Sequence, residues 1–172
     1  MLDDAYEFCK GFDTAVCAGG GVGVVPNKLA EKFKVVYAFE PESSNFACMA
    51  VNTVPTVIKI QAALGPSPSL MGMTGDLHDL GSWQIVANGR LPMVRLDSFN
   101  LPLHLLYLDA NGFEPNIIEG AVKTLKAYKP VVIAAASERL PDYGHTLNFL
   151  KRDLKALGYE LKKENANRMV FA

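Results

Sequence analysis

The stretch Ala15-Val-Cys-Ala-Gly-Gly-Gly-Val-Gly-Val-Val25 constrains this chain more than any other. Small and apolar residues run into a glycine-rich turn, and the apolar residues beyond it recur at helical spacing, so a strand passes through a tight turn into a helix. Residues 22–33 continue that spacing and residues 34–40 (KVVYAFE) are again a strand, which makes a strand–helix–strand unit, the start of a parallel sheet. Pro41 stands at a first helical position for a helix reaching residue 52, and residues 57–64 supply a third strand. Residues 103–110, the helical stretch 114–128 and residues 131–137 repeat the alternation. Their strands are almost continuously apolar, as a parallel sheet covered by helices on both faces requires.

Residues 146–157 are amphipathic, Gly158 is a helix stop, and 159–164 and 168–172 read as two strands joined by the turn Asn165-Ala-Asn167. The expected fold is therefore α/β, a Rossmann-like sheet that ends in an antiparallel hairpin. Residues 65–100, rich in Gly, Pro, Ser and Met, read as an elaborated connection with strand-like pieces at 83–86 and 93–96. At 172 residues, 49% hydrophobic and 20% charged, with no repeat or linker, the chain is expected to form a single domain spanning residues 1–172.

Seventeen basic against eighteen acidic residues give a net charge of −1, which excludes a global pull toward nucleic acid or an anionic membrane. The apolar runs fall far below the roughly 20 residues that a membrane span needs, and MLDDAYEFCK lacks a signal-peptide core. Cys9, Cys17 and Cys48 are three in number and widely spaced, without zinc-site spacing, which fits free thiols in a reducing compartment. A cytoplasmic location is expected, and the oligomeric state is left open.

The glycine turn lets a ligand approach the backbone where the helix N-terminus offers free N–H groups. Gly19, Gly21 and Gly23 give GxGxG, and Val24 stands where the dinucleotide fingerprint GxGxxG places its third glycine, so a nicotinamide dinucleotide fits poorly. No Gly-Lys-Ser/Thr follows, which argues against a P-loop. Glu40 ends the next strand, seventeen positions beyond Gly23, where a carboxylate accepts both hydrogen bonds of a ribose diol. The bland alternative is that the glycines serve close packing and Glu40 is a solvated strand-end charge.

With AVCAGGGVG, VVYAFEPESSNF, IQAALG, VRLDSF, LLYLDANGFE and AVKTLKAYKPVVIAA in one order, residues 12–137 resemble the FkbM-type family of S-adenosylmethionine-dependent methyltransferases, whose usual turn is GxGxG. The resemblance implies a seven-stranded methyltransferase sheet, S-adenosylmethionine as cofactor, and O-methyl transfer to a sugar or other small hydroxyl acceptor. It places Cys17, Gly19, Gly20, Gly21 and Gly23 at the methionine part of the cofactor, Glu40 and the adjoining Pro41 at the ribose, and Gln61 and Ala62 by the adenine. Family motifs usually carry an acid where Cys17 stands, a Lys at Tyr107, a Glu at Asn111 and an acid at Ala135, whereas Asp109, Gly112 and Glu114 match. The loss of acids from one neighbourhood also fits a degenerate member that binds a ligand without catalysis.

Asp109 closes an apolar strand on the crevice side of the sheet, where a carboxylate can take a hydroxyl proton, and it is the catalytic candidate together with Glu114. Their alternative readings are an N-cap and a first-turn acid complementing the helix dipole. Asp109, Asn111 and Glu114 lack a metal-site spacing signature, so no metal is assigned. His78 in the long connection could serve as a base, although a surface role is commoner; His104 reads as a core or edge residue and His145 as a loop residue flanking the crevice. Trp83 and Tyr143 could stack on a sugar ring. Lys123, Lys126 and Lys129 form a solvated helix face. The absence of Asn/Asp-Pro-Pro-Tyr/Phe after the fourth strand argues against methylation of nucleic-acid amino groups.

Overall fold

A computed structural model of the chain describes residues 2–76, 79 and 82–172. A short helix α1 (Leu2–Tyr6) precedes β1 (Thr14–Ala18), and α2 (Val24–Ala30), β2 (Val35–Phe39), α3 (Ser43–Asn52) and β3 (Val57–Ile60) follow. Beyond them come β4 (Ala63–Leu64), β5 (Ser69–Thr74), β6 (Gln84–Ala87) and β7 (Leu91–Val94), then β8 (Leu105–Leu108), α4 (Glu114–Glu119), α5 (Val122–Tyr128) and β9 (Val131–Ala135). Helix α6 (Leu147–Ala156), β10 (Leu161–Glu164) and β11 (Arg168–Phe171) end the chain. The main sheet has seven strands in the order β10-β11-β9-β8-β1-β2-β3. Strands β3, β2, β1, β8 and β9 run parallel, while β11 is antiparallel to both β9 and β10. From β1 the chain builds outward through β2 and β3, then returns to the other side of β1 with β8. The gap between the C-terminal ends of β1 and β8 is therefore the topological switch point, where open α/β sheets bind ligands.

Side-chain alternation divides the core into two layers. Val16 and Ala18 face the layer that holds Phe39, Leu106, Leu108 and Ile117, whereas Ala15 and Cys17 face the one that holds Leu29, Phe33 and Tyr107. The hairpin turn is closed by the Asn165 side chain, whose Oδ1 accepts from the Asn167 and Arg168 N–H groups at 3.0 and 2.9 Å. Among the described residues no helix is long and apolar enough to cross a membrane.

Four local expectations need correction. The helix expected at 114–128 is broken between α4 and α5 at Gly120, where a Cβ would stand 2.0 Å from the Gly65 carbonyl oxygen, so the passing connection interrupts it. The strand expected at 57–64 bends after Ile60, and Ala63–Leu64 leaves the main sheet to pair with β7. The connection is itself part of a four-stranded sheet, β4-β7-β5-β6, in which β5 matches no expected strand and the pieces expected at 83–86 and 93–96 lie at β6 and β7. Pro41 precedes α3 rather than opening it; Glu42 is the N-cap, and its carboxylate accepts from the Asn45 N–H at 2.7 Å. After β7, Asp97 accepts from the Thr124 N–H and hydroxyl, both at 2.9 Å, and from the Lys123 N–H at 3.1 Å, which fastens the connection to the first turn of α5.

Candidate functional site

The glycine turn is pinned to the end of β2, with the Gly19 and Gly20 N–H groups donating to the Phe39 carbonyl at 3.1 and 2.9 Å. Gly19 adopts φ +85°, and a Cβ there would lie 2.0 Å from the Asp109 carbonyl oxygen, so only glycine lets β1 turn this close to β8. Beside the turn opens a cleft of about 330 Å³. Its walls include Gly19, Gly20 and Gly21 on one side, Glu40, Pro41 and Ala62 at the ends of β2 and β3, and Asp109 and Asn111 after β8.

Glu40 is 5% exposed, and both of its carboxylate oxygens are engaged. Oε2 accepts from the Gly21 N–H at 2.8 Å and Oε1 from the Glu42 N–H at 2.9 Å. Burial pushes this carboxyl above the ordinary range, while the two backbone N–H groups act against that shift. The Asn45 side chain is a third donor acting in the same direction as those N–H groups, so the carboxylate is fixed in place, and its remaining lone-pair capacity faces a ligand in the cleft.

Asp109 follows β8 directly. Its Oδ2 accepts from Arg168 Nη2 at 2.6 Å and from the Tyr107 hydroxyl at 3.1 Å. Burial, then the neighbouring Asp109 charge, pushes the Tyr107 phenol up, so it remains a donor. Glu114 lies behind this turn, fully buried: Oε1 accepts from the Ala110 N–H at 2.8 Å and the Gly112 N–H at 3.4 Å, while Oε2 has no partner among the described residues. Burial pushes the Glu114 carboxyl up.

The cleft is roofed by Met73, Trp83 and Ile85 of the connection. Asn111 Nδ2 donates to the Trp83 carbonyl at 2.9 Å, Arg139 Nη1 to the Ser82 carbonyl at 2.9 Å, and the Ile85 N–H to the Tyr143 hydroxyl at 2.9 Å.

Of the residues expected to serve the cofactor, Gly19, Gly20, Gly21, Glu40, Pro41 and Ala62 line the cleft. Gly23 caps α2 from outside it, and Gln61 donates to the Ser43 hydroxyl at 3.0 Å instead of facing it. Cys17 is sealed beneath the turn on the other face of β1, its thiol pushed up by burial and then by the charges of Asp109 and Glu40. Asp109 reaches the cleft, whereas Glu114 supports the turn from behind. Tyr143 braces β6, His145 bonds Asn116 at 3.0 Å, and His78 lies outside the described residues. Arg168 was missed by sequence reasoning. It stands 59 positions from Asp109, and no local motif signals a pairing set by sheet register.

A parallel sheet with a glycine turn and a strand-end carboxylate at its switch point defines the Rossmann-like class of nucleotide-type binding folds. The family model of the methyltransferase FkbM domain matches residues 20–161, and the chain belongs to that methyltransferase family. No curated protein matches it in sequence. Among solved structures, a methyltransferase FkbM from Methylobacillus flagellatus KT matches with a TM-score of 0.67 at 15% identity, covering 94% of this chain and 44% of that one. The chain thus spans less than half of that protein's length. The precorrin-6y C5,15-methyltransferase of Geobacter metallireducens GS-15 gives 0.61 at 12% identity, covering 99% of this chain and 83% of that one. The magnesium protoporphyrin IX methyltransferase of Synechocystis PCC 6803, solved with bound S-adenosylmethionine, gives 0.53 at 13%, covering 94% and 68%. At these identities the likeness is one of fold.

Proposed function

We propose that this chain binds S-adenosylmethionine in the cleft beside the glycine turn and transfers its methyl group to a hydroxyl of a sugar or other small acceptor held near Asp109. The observation that carries the reading is Glu40, a buried carboxylate locked by two backbone N–H groups at the cleft wall and aimed where a ribose diol is recognised. The fit is good at the nucleoside end, where Glu40, Pro41 and Ala62 lie together, and poorer at the amino-acid end, where Cys17 offers no exposed group.

When bound, the cofactor supplies an electrophilic methyl on a sulfonium. The protein's part is to hold and align. The glycine turn brings bare backbone to the ligand, Glu40 takes the ribose hydroxyls, and Met73, Trp83 and Ile85 give the cleft an apolar wall. Asp109 accepts the acceptor's hydroxyl proton through the oxygen that Arg168 and Tyr107 leave unengaged. Glu114 acts on this step only by holding the 110–112 turn. Three free cysteines fit a cytoplasmic setting.

Calorimetric titration with S-adenosylmethionine, S-adenosylhomocysteine and NAD tests the reading; binding of NAD alone sinks it. A second reading, a family member that binds without turnover, is favoured by the Asp109–Arg168 pair, which compensates the carboxylate's charge. Methyl transfer from labelled S-adenosylmethionine to a panel of sugars and small hydroxyl compounds separates the two. Asp109→Asn is expected to lower that transfer at least about tenfold while S-adenosylhomocysteine still binds, and unchanged transfer removes Asp109 from its role.

A further inference from the structure

Three residues at the ends of three neighbouring strands form one row across the sheet at the cleft. Leu108 pairs with Ala134 and Ala135 with Arg168, so Asp109, one position past Leu108, falls beside Ala135 with Arg168 beyond it. Two strand spacings separate the outer members by roughly 10 Å. An arginine side chain bridges that distance only if the residue between is small, and Ala135 is. Arg168 Nη2 thereby reaches Asp109 Oδ2 at 2.6 Å, with its guanidinium carbon 5.4 Å from the centre of the Tyr107 ring. Tyr107 donates to the same oxygen at 3.1 Å. Among the described residues no group donates to Oδ1, although Asp109 lines the cleft. The terminal torsion of a free carboxylate is broad, so either oxygen presents itself; two donors converging on Oδ2 fix its plane.

We propose that Arg168 is a positioning residue: by holding Asp109 Oδ2 across Ala135, it presents Oδ1 to the end of the cleft where methyl transfer takes place. The proposal rests on the reading that the cleft holds S-adenosylmethionine with Asp109 at its transfer end. It gives the terminal hairpin a part in the site, since Arg168 opens β11 directly after the Asn165 turn.

The test compares two probes by calorimetry. S-adenosylhomocysteine lacks the methyl group, and sinefungin carries a primary ammonium at the transfer position, where a correctly turned Oδ1 accepts it. The wild-type chain is expected to prefer sinefungin at least about tenfold, as a charge-assisted hydrogen bond allows. Arg168→Met is expected to cut that preference at least about fivefold while leaving S-adenosylhomocysteine affinity within about threefold, because a freely turning carboxylate loses the fixed geometry. Removal of the cation's repulsion works the other way, but with the two side chains 33% and 34% exposed, solvent screening makes it the smaller effect.

In an Asp109→Asn background the same Arg168→Met change should alter the preference less than about twofold, since a role exercised through Asp109 disappears with it. Arg168→Lys, which keeps the cation and one donor, should restore at least half of the preference. Arg168→Gln replaces the methionine variant if that one does not fold. The positioning role is overturned by an unchanged preference, by an increase, which would make Arg168 a mere screen of charge, or by an equal loss of both ligands. A wild-type chain that binds neither probe overturns the cofactor reading as well, whereas normal S-adenosylhomocysteine binding with an unaltered preference defeats this proposal alone.

Discussion

Replacement of Glu40 should damage folding and ligand binding together, by amounts that can be worked out from two contacts. Glu40→Ala frees the Glu42 N–H, in a residue only 7% exposed, and the Gly21 N–H, which faces the open side of the turn. A buried donor left unpaired costs about 1–3 kcal/mol. The Glu42 group carries most of that cost, because water entering the cleft reaches the Gly21 N–H, and the sum is about 2–4 kcal/mol. Glu40→Gln keeps the length and one accepting oxygen but turns an NH2 group toward the other N–H, for about 1–2 kcal/mol. The glutamine also loses a charge-assisted bond to the ribose, about 1.5–3 kcal/mol, which corresponds to roughly 10- to 100-fold in Kd. Urea unfolding measures the first effect, and calorimetry with S-adenosylhomocysteine under folding conditions measures the second. An alanine variant that unfolds at the wild-type midpoint would refute the anchoring argument, and a glutamine variant that binds as tightly as wild type would refute the ribose assignment.

Glu114 and Gly19 hold the turns themselves in shape. Burial holds the Glu114 carboxyl above its ordinary 4.5, so its contribution to stability is fully present below that pH and is lost as pH rises through the folded-state value. Thermal unfolding of Glu114→Gln, which keeps an oxygen for the Ala110 and Gly112 N–H groups, should therefore lose that fall between pH 5 and 8, conditions chosen to lie above 4.5; parallel wild-type and variant curves would show that no buried charge is involved. Gly19→Ala places a Cβ 2.0 Å from the Asp109 carbonyl at φ +85°. It is expected to cost about 3 kcal/mol from overpacking and the left-handed backbone, or roughly 6–12 °C in Tm. A loss below 2 °C would mean that β1 and β8 separate easily.

Agreement between sequence and structure follows the range of the forces involved. Apolar runs and helical spacing located the main strands to within a few residues, because burial and backbone geometry act on consecutive positions. The split at Gly120 and the bend after Ile60 leave no mark in the local pattern, because both arise where a second segment crosses the first. The connection was harder still: β5 carries an exposed Leu70 and Gly72 between its buried and cleft-lining methionines, and it is a strand only because β6 and β7 pair with it. Within the site, strand alternation already separates Cys17 from its neighbours Val16 and Ala18, yet only the glycine turn's position relative to β8 shows which layer opens on the cleft.

Local sequence pattern is enough to specify the parallel α/β order, the terminal hairpin, the glycine turn and the carboxylate at the end of β2. Each is written in a local rule: period-two or period-3.6 burial, turn chemistry, or the distance along one strand–helix–strand unit. Three contacts follow only from the packed chain: Arg168 reaches Asp109 across Ala135, Asp97 caps a helix 26 positions away, and the connection walls the cleft. Those contacts join segments whose adjacency depends on strand order and register. A one-residue slip in the pairing of β11 with β9 would carry Arg168 to the opposite face of the sheet, with no change in the sequence pattern that makes either strand.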